Sequence, residues 1–314
     1  MSQWAIRTSG LTKQYRGVSV VEGIDLAVTP HQVFGFLGPN GAGKSTTMKM
    51  LLGLAAPTAG AIEVLGEQFT PRTAKRVLPR VGSLIESPSF YGHLTGRENL
   101  DIVRRIKNVP ADSVDAVLET VRLTHAAGKR AKEYSLGLMQ RLGIAMALLG
   151  SPELLILDEP TNGLDPAGIH EIRELIKSLP RTHGLTVLVS SHLLSEIEQM
   201  ADTIGIIDHG YLLYQGPLAG LEDAGRLVLA VDEPERTAAL LRSQGWQIEQ
   251  VSGAELSLPV YADEHIPQLV STVVNSGAGI YRVEVRRRSL EEKFLEITEQ
   301  AQMQRGQAQM PVAA

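Results

Sequence analysis

Nine residues near the N-terminus, Gly38-Pro39-Asn40-Gly41-Ala42-Gly43-Lys44-Ser45-Thr46, follow the spacing G-x-x-x-x-G-K-[ST]. Such a loop works only where a strand delivers it and a helix carries the chain away. Both are written into the flanks. Val33-Phe34-Gly35-Phe36-Leu37 has the composition of a buried strand, and Thr47-Met48-Lys49-Met50-Leu51-Leu52 reads as a helix. Glycines let successive backbone N–H groups turn inward around an anion, and the new helix adds the positive end of its dipole. Lys44 can bring a full charge to β- and γ-phosphates, and Ser45 a hydroxyl to Mg2+. An ordinary Gly-rich turn would account for the glycines but not for Lys-Ser at the helix entrance.

The rest of the chain indicates the kind of sheet around this loop. Residues 4 to 37 read as short strands, with a turn at Thr12 to Gly17. Thr95 with Glu98 forms a capping box that opens a helix through Lys107. Leu138, Leu142, Ala145, Met146 and Leu149 share one helical face, as do Ile169, Ile172, Leu175, Ile176 and Leu179. Leu154-Leu155-Ile156-Leu157 and Thr186-Val187-Leu188-Val189 are wholly apolar strands. Strands and helices in alternation, with continuously apolar strands, predict an α/β domain whose mainly parallel sheet is covered on both faces. The stripes are core packing and carry no chemistry.

Near Gly220 the pattern changes. Strands are expected over Arg226–Val231, Trp246–Val251, Glu255–Val260 and Ile280–Val285, with helices over Pro234–Arg242 and Ile266–Asn275. That order is β-α-β-β-α-β, a small α+β domain. A last helix is expected to begin at Ser289, with Glu292 as its capping partner, and to run to about Glu299. The chain of 314 residues therefore divides into a large domain over 1–222, an accessory domain over 223–300 and a disordered tail over 301–314.

Composition narrows the function. A net charge of −5 argues against a broad nucleic-acid footprint, so no nucleic-acid partner is expected. Without cysteine there is no disulfide, thiolate metal site or thiol nucleophile, which suits the cytosol. Met1-Ser2-Gln3-Trp4-Ala5 lacks the order of a signal peptide. The densest apolar stretch, Ile144 to Leu157, is broken by Gly150, Ser151, Pro152 and Glu153. Work at a membrane would need a second chain.

Further segments build on the loop. The apolar strand Leu154–Leu157 ends in Asp158-Glu159, and a strand end beside a phosphate loop is where an α/β sheet holds its ligand. Asp158 is placed to hold Mg2+, and Glu159 to polarise a water attacking the γ-phosphate. Ser135 and Gly137 open the helix leading to that strand, offering a hydroxyl and free N–H groups to a phosphate; a simple N-cap is the alternative. Asn162-Gly163-Leu164-Asp165 follows the carboxylates, and His192 ends the strand from Thr186.

The order of this set resembles the ATP-binding subunit of an ABC transporter, from residue 4 to about 222. The resemblance implies a P-loop NTPase fold with an antiparallel β part and a helical subdomain. It further implies an adenine-stacking Tyr15, a Walker A loop over Gly38–Thr46, a Walker B strand ending in Asp158 and a catalytic Glu159. Asn162–Asp165 becomes the D-loop, His192 the switch histidine, and Ser135-Leu136-Gly137-Leu138-Met139 the L-S-G-G-Q signature. Two departures stand out. Leu136 replaces a glycine and Leu138 the glutamine of the signature, and Glu86 stands where a metal-touching glutamine is usual. Both variants, with the end Arg288-Ser289-Leu290-Glu291-Glu292-Lys293-Phe294-Leu295, resemble exporters for bacitracin resistance and lantibiotic self-protection. The resemblance implies ATP and Mg2+ as ligands, a homodimer, and a separate membrane permease that holds the subunit at the cytoplasmic face. The alternatives are an ATP-switched interaction module and a small-molecule kinase. The interval from Lys44 to Ser135 lacks the heptads, and the chain the second cassette, of the known interaction modules.

Overall fold

The computed structural model describes residues 3–86, 88–221, 225–287 and 290–308. The chain forms two compact units, one holding everything up to Gly220 and the end from Ile297, the other Leu221–Glu296.

The first unit contains a six-stranded sheet in the order Tyr211–Pro217, Thr203–Asp208, Val33–Leu37, Thr186–Ser191, Leu154–Leu157, Val81–Leu84. Five strands are parallel, and the Tyr211 strand pairs antiparallel with its neighbour. The three strands at its centre bury every residue, as expected of apolar runs flanked by helices. Their register puts Leu37 beside Ser191 and Leu157 beside Val189. Gly38, Asp158 and His192 therefore leave the sheet from one edge.

A second, antiparallel sheet runs Val18–Ile24, Ile6–Tyr15, Ala59–Val64, Glu67–Gln68, with Ala27–Val28 also paired to Ile6–Tyr15. Its Ile6 and Leu11 share one core cluster with Phe34 and Phe36 of the central sheet and with Met48, Met50 and Leu51 of the helix Lys44–Leu51. The phosphate-loop helix is thus gripped between two sheets. Helices Gly96–Lys107, Ser113–Thr120 and Leu136–Leu148 pack on one another as the helical part. The capping box at Thr95 and Glu98 forms with both of its hydrogen bonds.

In the second unit, Gln250–Ser252, Glu255–Pro259, Arg226–Val231 and Ile280–Arg286 make an antiparallel sheet in that order. Its core joins Leu227, Leu229 and Val231 to Ala238 and Leu241 of the helix Pro234–Ser243 and to Leu269 and Val273 of Ile266–Asn275. This is the expected β-α-β-β-α-β order.

Three details differ from the sequence reading. Thr12 to Tyr15 are strand rather than turn, because Thr58 fastens them: its N–H donates to the Thr12 carbonyl at 2.8 Å and its hydroxyl accepts from Gln14 at 3.0 Å. Only Arg16 and Gly17 turn, both with positive φ. The strand expected from Trp246 shortens to Gln250–Ser252. Trp246 N–H donates to Leu241, Gln247 N–H donates to the Tyr261 hydroxyl, and the Trp246 and Tyr261 rings stack edge to face at 4.9 Å. Finally, the last helix, Leu290–Ala308, continues past Gln300 into the stretch expected to be disordered. Gln, Ala and Met are strong helix formers, so the composition taken for a tail also extends a helix. The proposed cap Ser289 and the stretch 309–314 lie outside the described residues.

Candidate functional site

The loop geometry requires its glycines. A Cβ on Gly38 would stand 2.2 Å from the Ile207 carbonyl oxygen, and one on Gly43 would stand 2.8 Å from that of Val20. Gly43 also holds φ at 107°, a conformation L side chains avoid. The Gly210 N–H donates to the Ala42 carbonyl at 2.9 Å and fixes the turn from outside. Pro39, Asn40 and Gly41 form the exposed tip, while Ser45 and Thr46 are half-buried in the first helical turn.

Lys44 is only 5% exposed. Its ammonium donates to the Gly38 carbonyl at 2.6 Å and the Pro39 carbonyl at 3.0 Å, and pairs with Glu159 Oε1 at 3.2 Å. Three partners match its three N–H bonds. Glu159 has φ of 47°, a strained conformation for a side chain with a Cβ. This bend follows the strand Leu154–Leu157 and leads the carboxylate to Lys44 on one side and His192 on the other. His192 Nδ1 lies 2.6 Å from Glu159 Oε2, so Nδ1 carries the proton between them. Lys44, Glu159 and His192 form one chain of polar contacts at the mouth of the loop.

Asp158 is buried beside them. The Ser190 hydroxyl donates to Asp158 Oδ1 at 2.6 Å and accepts from the Glu159 backbone N–H at 2.9 Å, so one serine holds the Asp158 carboxylate and the backbone of Glu159. A buried Glu196 accepts from Thr161 at 2.6 Å and from Ser191 at 2.9 Å, fastening the turn after Glu159 to the strand carrying His192. Ser45 and Asp158 together offer hydroxyl and carboxylate oxygens, the ligands of a hard cation. Among the described residues no cluster of three or more His, Asp or Glu could hold a metal alone.

The remaining predicted residues lie around this centre. Glu86, at φ of 62°, accepts from Lys49 at 2.6 Å, a partner the sequence did not suggest. Lys49 sits one turn beyond Ser45 on the phosphate-loop helix. This hydrogen bond holds the Glu86 carboxyl below its ordinary range and Lys49 above its own. Tyr15, 48% exposed, ends its strand opposite Val18, two residues before the Val20 carbonyl that meets Gly43.

Ser135 and Gly137 belong to a second cluster. Ser135 caps the helix Leu136–Leu148, its hydroxyl accepting from Leu138 N–H at 3.4 Å. A Cβ on Gly137 would meet nothing nearer than Leu164 at 4.0 Å. Packing therefore does not call for glycine there, although a glycine weakens a helix by about 1 kcal/mol relative to alanine. Leu136 is exposed and approaches Gly163. Asp165 caps the helix Pro166–His183, accepting from Gly168 N–H at 3.0 Å. Buried Arg141 ties the two helices together through Glu171 and also donates to the Val121 carbonyl, at the end of the helix Ser113–Thr120, at 2.9 Å. The signature-like segment and the Asn162–Asp165 loop thus form one surface.

Sequence reasoning missed Ser190, Glu196 and Lys49. The adjacent serines at the end of Thr186–Ser191 were visible, but nothing local tells which hydroxyl faces Asp158.

Residues 21–162 match the family described as ABC transporter. A bacitracin transport ATP-binding protein, BcrA, from Bacillus licheniformis is 42% identical over 297 residues, 93% of this chain and 96% of the relative. A lantibiotic transport ATP-binding protein, SrtF, from Streptococcus pyogenes is 40% identical over 222 residues, 71% of this chain and 95% of the relative. Among solved structures, a dimeric ATP-binding cassette in a post-hydrolysis state with ADP and Pi superposes with a TM-score of 0.62 at 22% identity, covering 68% of this chain and 98% of that one.

Proposed function

The chain belongs to the ABC transporter ATP-binding family, and on that premise we propose that it hydrolyses ATP in head-to-tail pairs to drive a separate membrane permease exporting a bacitracin-like peptide or related amphiphile. The observation that carries the reading is the Glu159 carboxylate, held between Lys44 and His192 where the phosphate loop opens. Lys44 and the loop N–H groups neutralise the β- and γ-phosphates. Glu159 takes a proton from the attacking water as oxygen bonds to the γ-phosphorus and the β–γ bridging oxygen departs on ADP. His192 keeps Glu159 oriented. Ser45 and Asp158 would hold Mg2+, which offsets the phosphate charge when bound.

The second half of each site would come from the partner copy. Ser135 and Gly137 offer a helix start held by a single long cap bond and an open glycine on the surface beside Asp165, which suits approach by a phosphate held elsewhere. Among the described residues no helix is long and apolar enough to cross a membrane, in keeping with a permease on another chain. The bacitracin relative matches the chain through its C-terminal unit, whereas the lantibiotic relative matches less of it. This favours a bacitracin-like cargo and a subunit docked on the cytoplasmic face of the membrane.

Lys44→Ala is expected to weaken ATP binding about 10- to 100-fold, the worth of charged hydrogen bonds lost from a buried ammonium. Isothermal titration against a variant that melts normally checks this; unchanged affinity would remove Lys44 from the cradle. At Glu86, replacement by Gln should retain most basal ATPase activity, because the exposed pair with Lys49 contributes little. Glu86→Ala should lower cellular resistance further than the ATPase rate, since the loop joining this segment to the permease loses its tie to the phosphate-loop helix. Resistance equal to wild type in Glu86→Ala, at equal protein level, would refute the coupling.

A further inference from the structure

Lys13 and Tyr15 lie two apart on the strand Ile6–Tyr15, so their side chains share a face. The Lys13 ammonium stands 4.8 Å from the centroid of the Tyr15 ring. It is not free to wander, because it donates to the Ala56 carbonyl at 2.6 Å. Ala56 lies where the chain leaves the phosphate-loop helix: Leu54 and Ala55 both donate to the Lys49 carbonyl, at 2.8 and 3.2 Å. Thr58 then clips the same segment to Thr12 and Gln14. The cation over the ring is therefore fixed by the phosphate-loop helix, independently of Tyr15.

We propose that Lys13 is a positioning residue for nucleotide binding: it holds one face of Tyr15 by a cation–π contact and sets the opposite face at a fixed distance from the phosphate loop as the platform for a purine base. This rests on Tyr15 being the adenine-stacking residue. A tyrosine at a strand end, half exposed and next to a two-residue turn, would otherwise swing among rotamers, and each base bound would have to fix it. The ammonium removes that freedom before the nucleotide arrives. The Ala56 link also carries the platform along with the helix that holds the triphosphate.

The test uses the full chain and two probes, ATP and inorganic tripolyphosphate, which share phosphates but not the base. Lys13→Met keeps the aliphatic stem and removes the charge. It should weaken ATP binding about two- to fivefold, the range of an exposed cation–π contact, and leave tripolyphosphate binding unchanged. Lys13→Arg should restore ATP affinity. Tyr15→Ala should also weaken ATP alone, and Lys13→Met added to it should cost nothing more. If Tyr15→Ala weakens ATP while Lys13→Met does not, the platform stands and the role of Lys13 falls. If Lys13→Met weakens both probes alike, or Arg fails to restore ATP binding, Lys13 only braces the Ala56 segment and the proposal is overturned. If Tyr15→Ala leaves ATP affinity unchanged, the adenine platform itself is wrong.

Discussion

Glu159→Gln is expected to bind ATP normally and to turn it over about 10²- to 10⁴-fold more slowly, the range lost when a general base is removed. The structure makes this substitution a clean one. The positive φ of Glu159 is a backbone property that Gln shares, and the bond from its N–H to Ser190 does not involve the side chain. An amide oxygen can still accept from His192 or Lys44, so the loop keeps its shape. Only the ability to take a proton is lost. A subunit that binds but does not cleave should accumulate as an ATP-bound pair. Phosphate release measured with ATP titration and sizing checks all three points. Wild-type hydrolysis would exclude Glu159 as the base and leave the Lys44–Glu159–His192 chain a structural feature.

Much of this site was legible because its parts are local. Four glycine-dependent or charged positions from Gly38 to Lys44 sit in one loop, and the flanking apolar runs specify strand and helix without help from elsewhere. The Asp158-Glu159 pair was readable for the same reason: it closes a run, Leu154–Leu157, that can only be buried. What the sequence could not show are contacts made across large separations. Ser190 reaches Asp158 because two parallel strands end together, and Lys49 reaches Glu86 because the helix lies under the end of the edge strand. Neither has a spacing to read.

The errors have the same origin. Thr12–Tyr15 carries turn-like residues, yet Lys13 to Tyr15 pair with Val18–Ile24 while Thr12 pairs with Ala59 and Gln14 donates to Thr58, so tertiary hydrogen bonds override local preference. At Trp246 the reverse happens: strand-forming residues are drawn out of the sheet by an aromatic contact and by donors already engaged. Asp165 teaches a third lesson. Its place in a family motif suggests contact with the nucleotide, but its carboxylate has an ordinary task capping the helix that follows. The two roles are compatible, since a cap fixes the loop that presents Asn162 to Leu164 on the surface.

The second large effect concerns the division of the site between two copies. Within one chain, Lys44 belongs to the loop centre and Ser135 to the surface cluster beside Gly163 and Leu164. Ser135→Arg removes a cap bond of 3.4 Å, costing about 1 kcal/mol at most, and places a bulky cation where a phosphate would approach. Alone, it should abolish turnover without unfolding the subunit; Lys44→Ala alone should do the same. Combined in a head-to-tail pair, the two lesions fall in one site and leave the other whole.

Subunit mixing therefore tests the central claim most directly. Lys44→Ala and Ser135→Arg subunits, each inactive, are co-expressed with different tags and mixed pairs are isolated by sequential affinity steps. A composite site predicts that each mixed pair regains about half the wild-type ATPase rate, because one of its two symmetry-related sites is intact. Mixed pairs that form and stay as inactive as either parent would contradict it, and would mean that each chain carries out its chemistry alone.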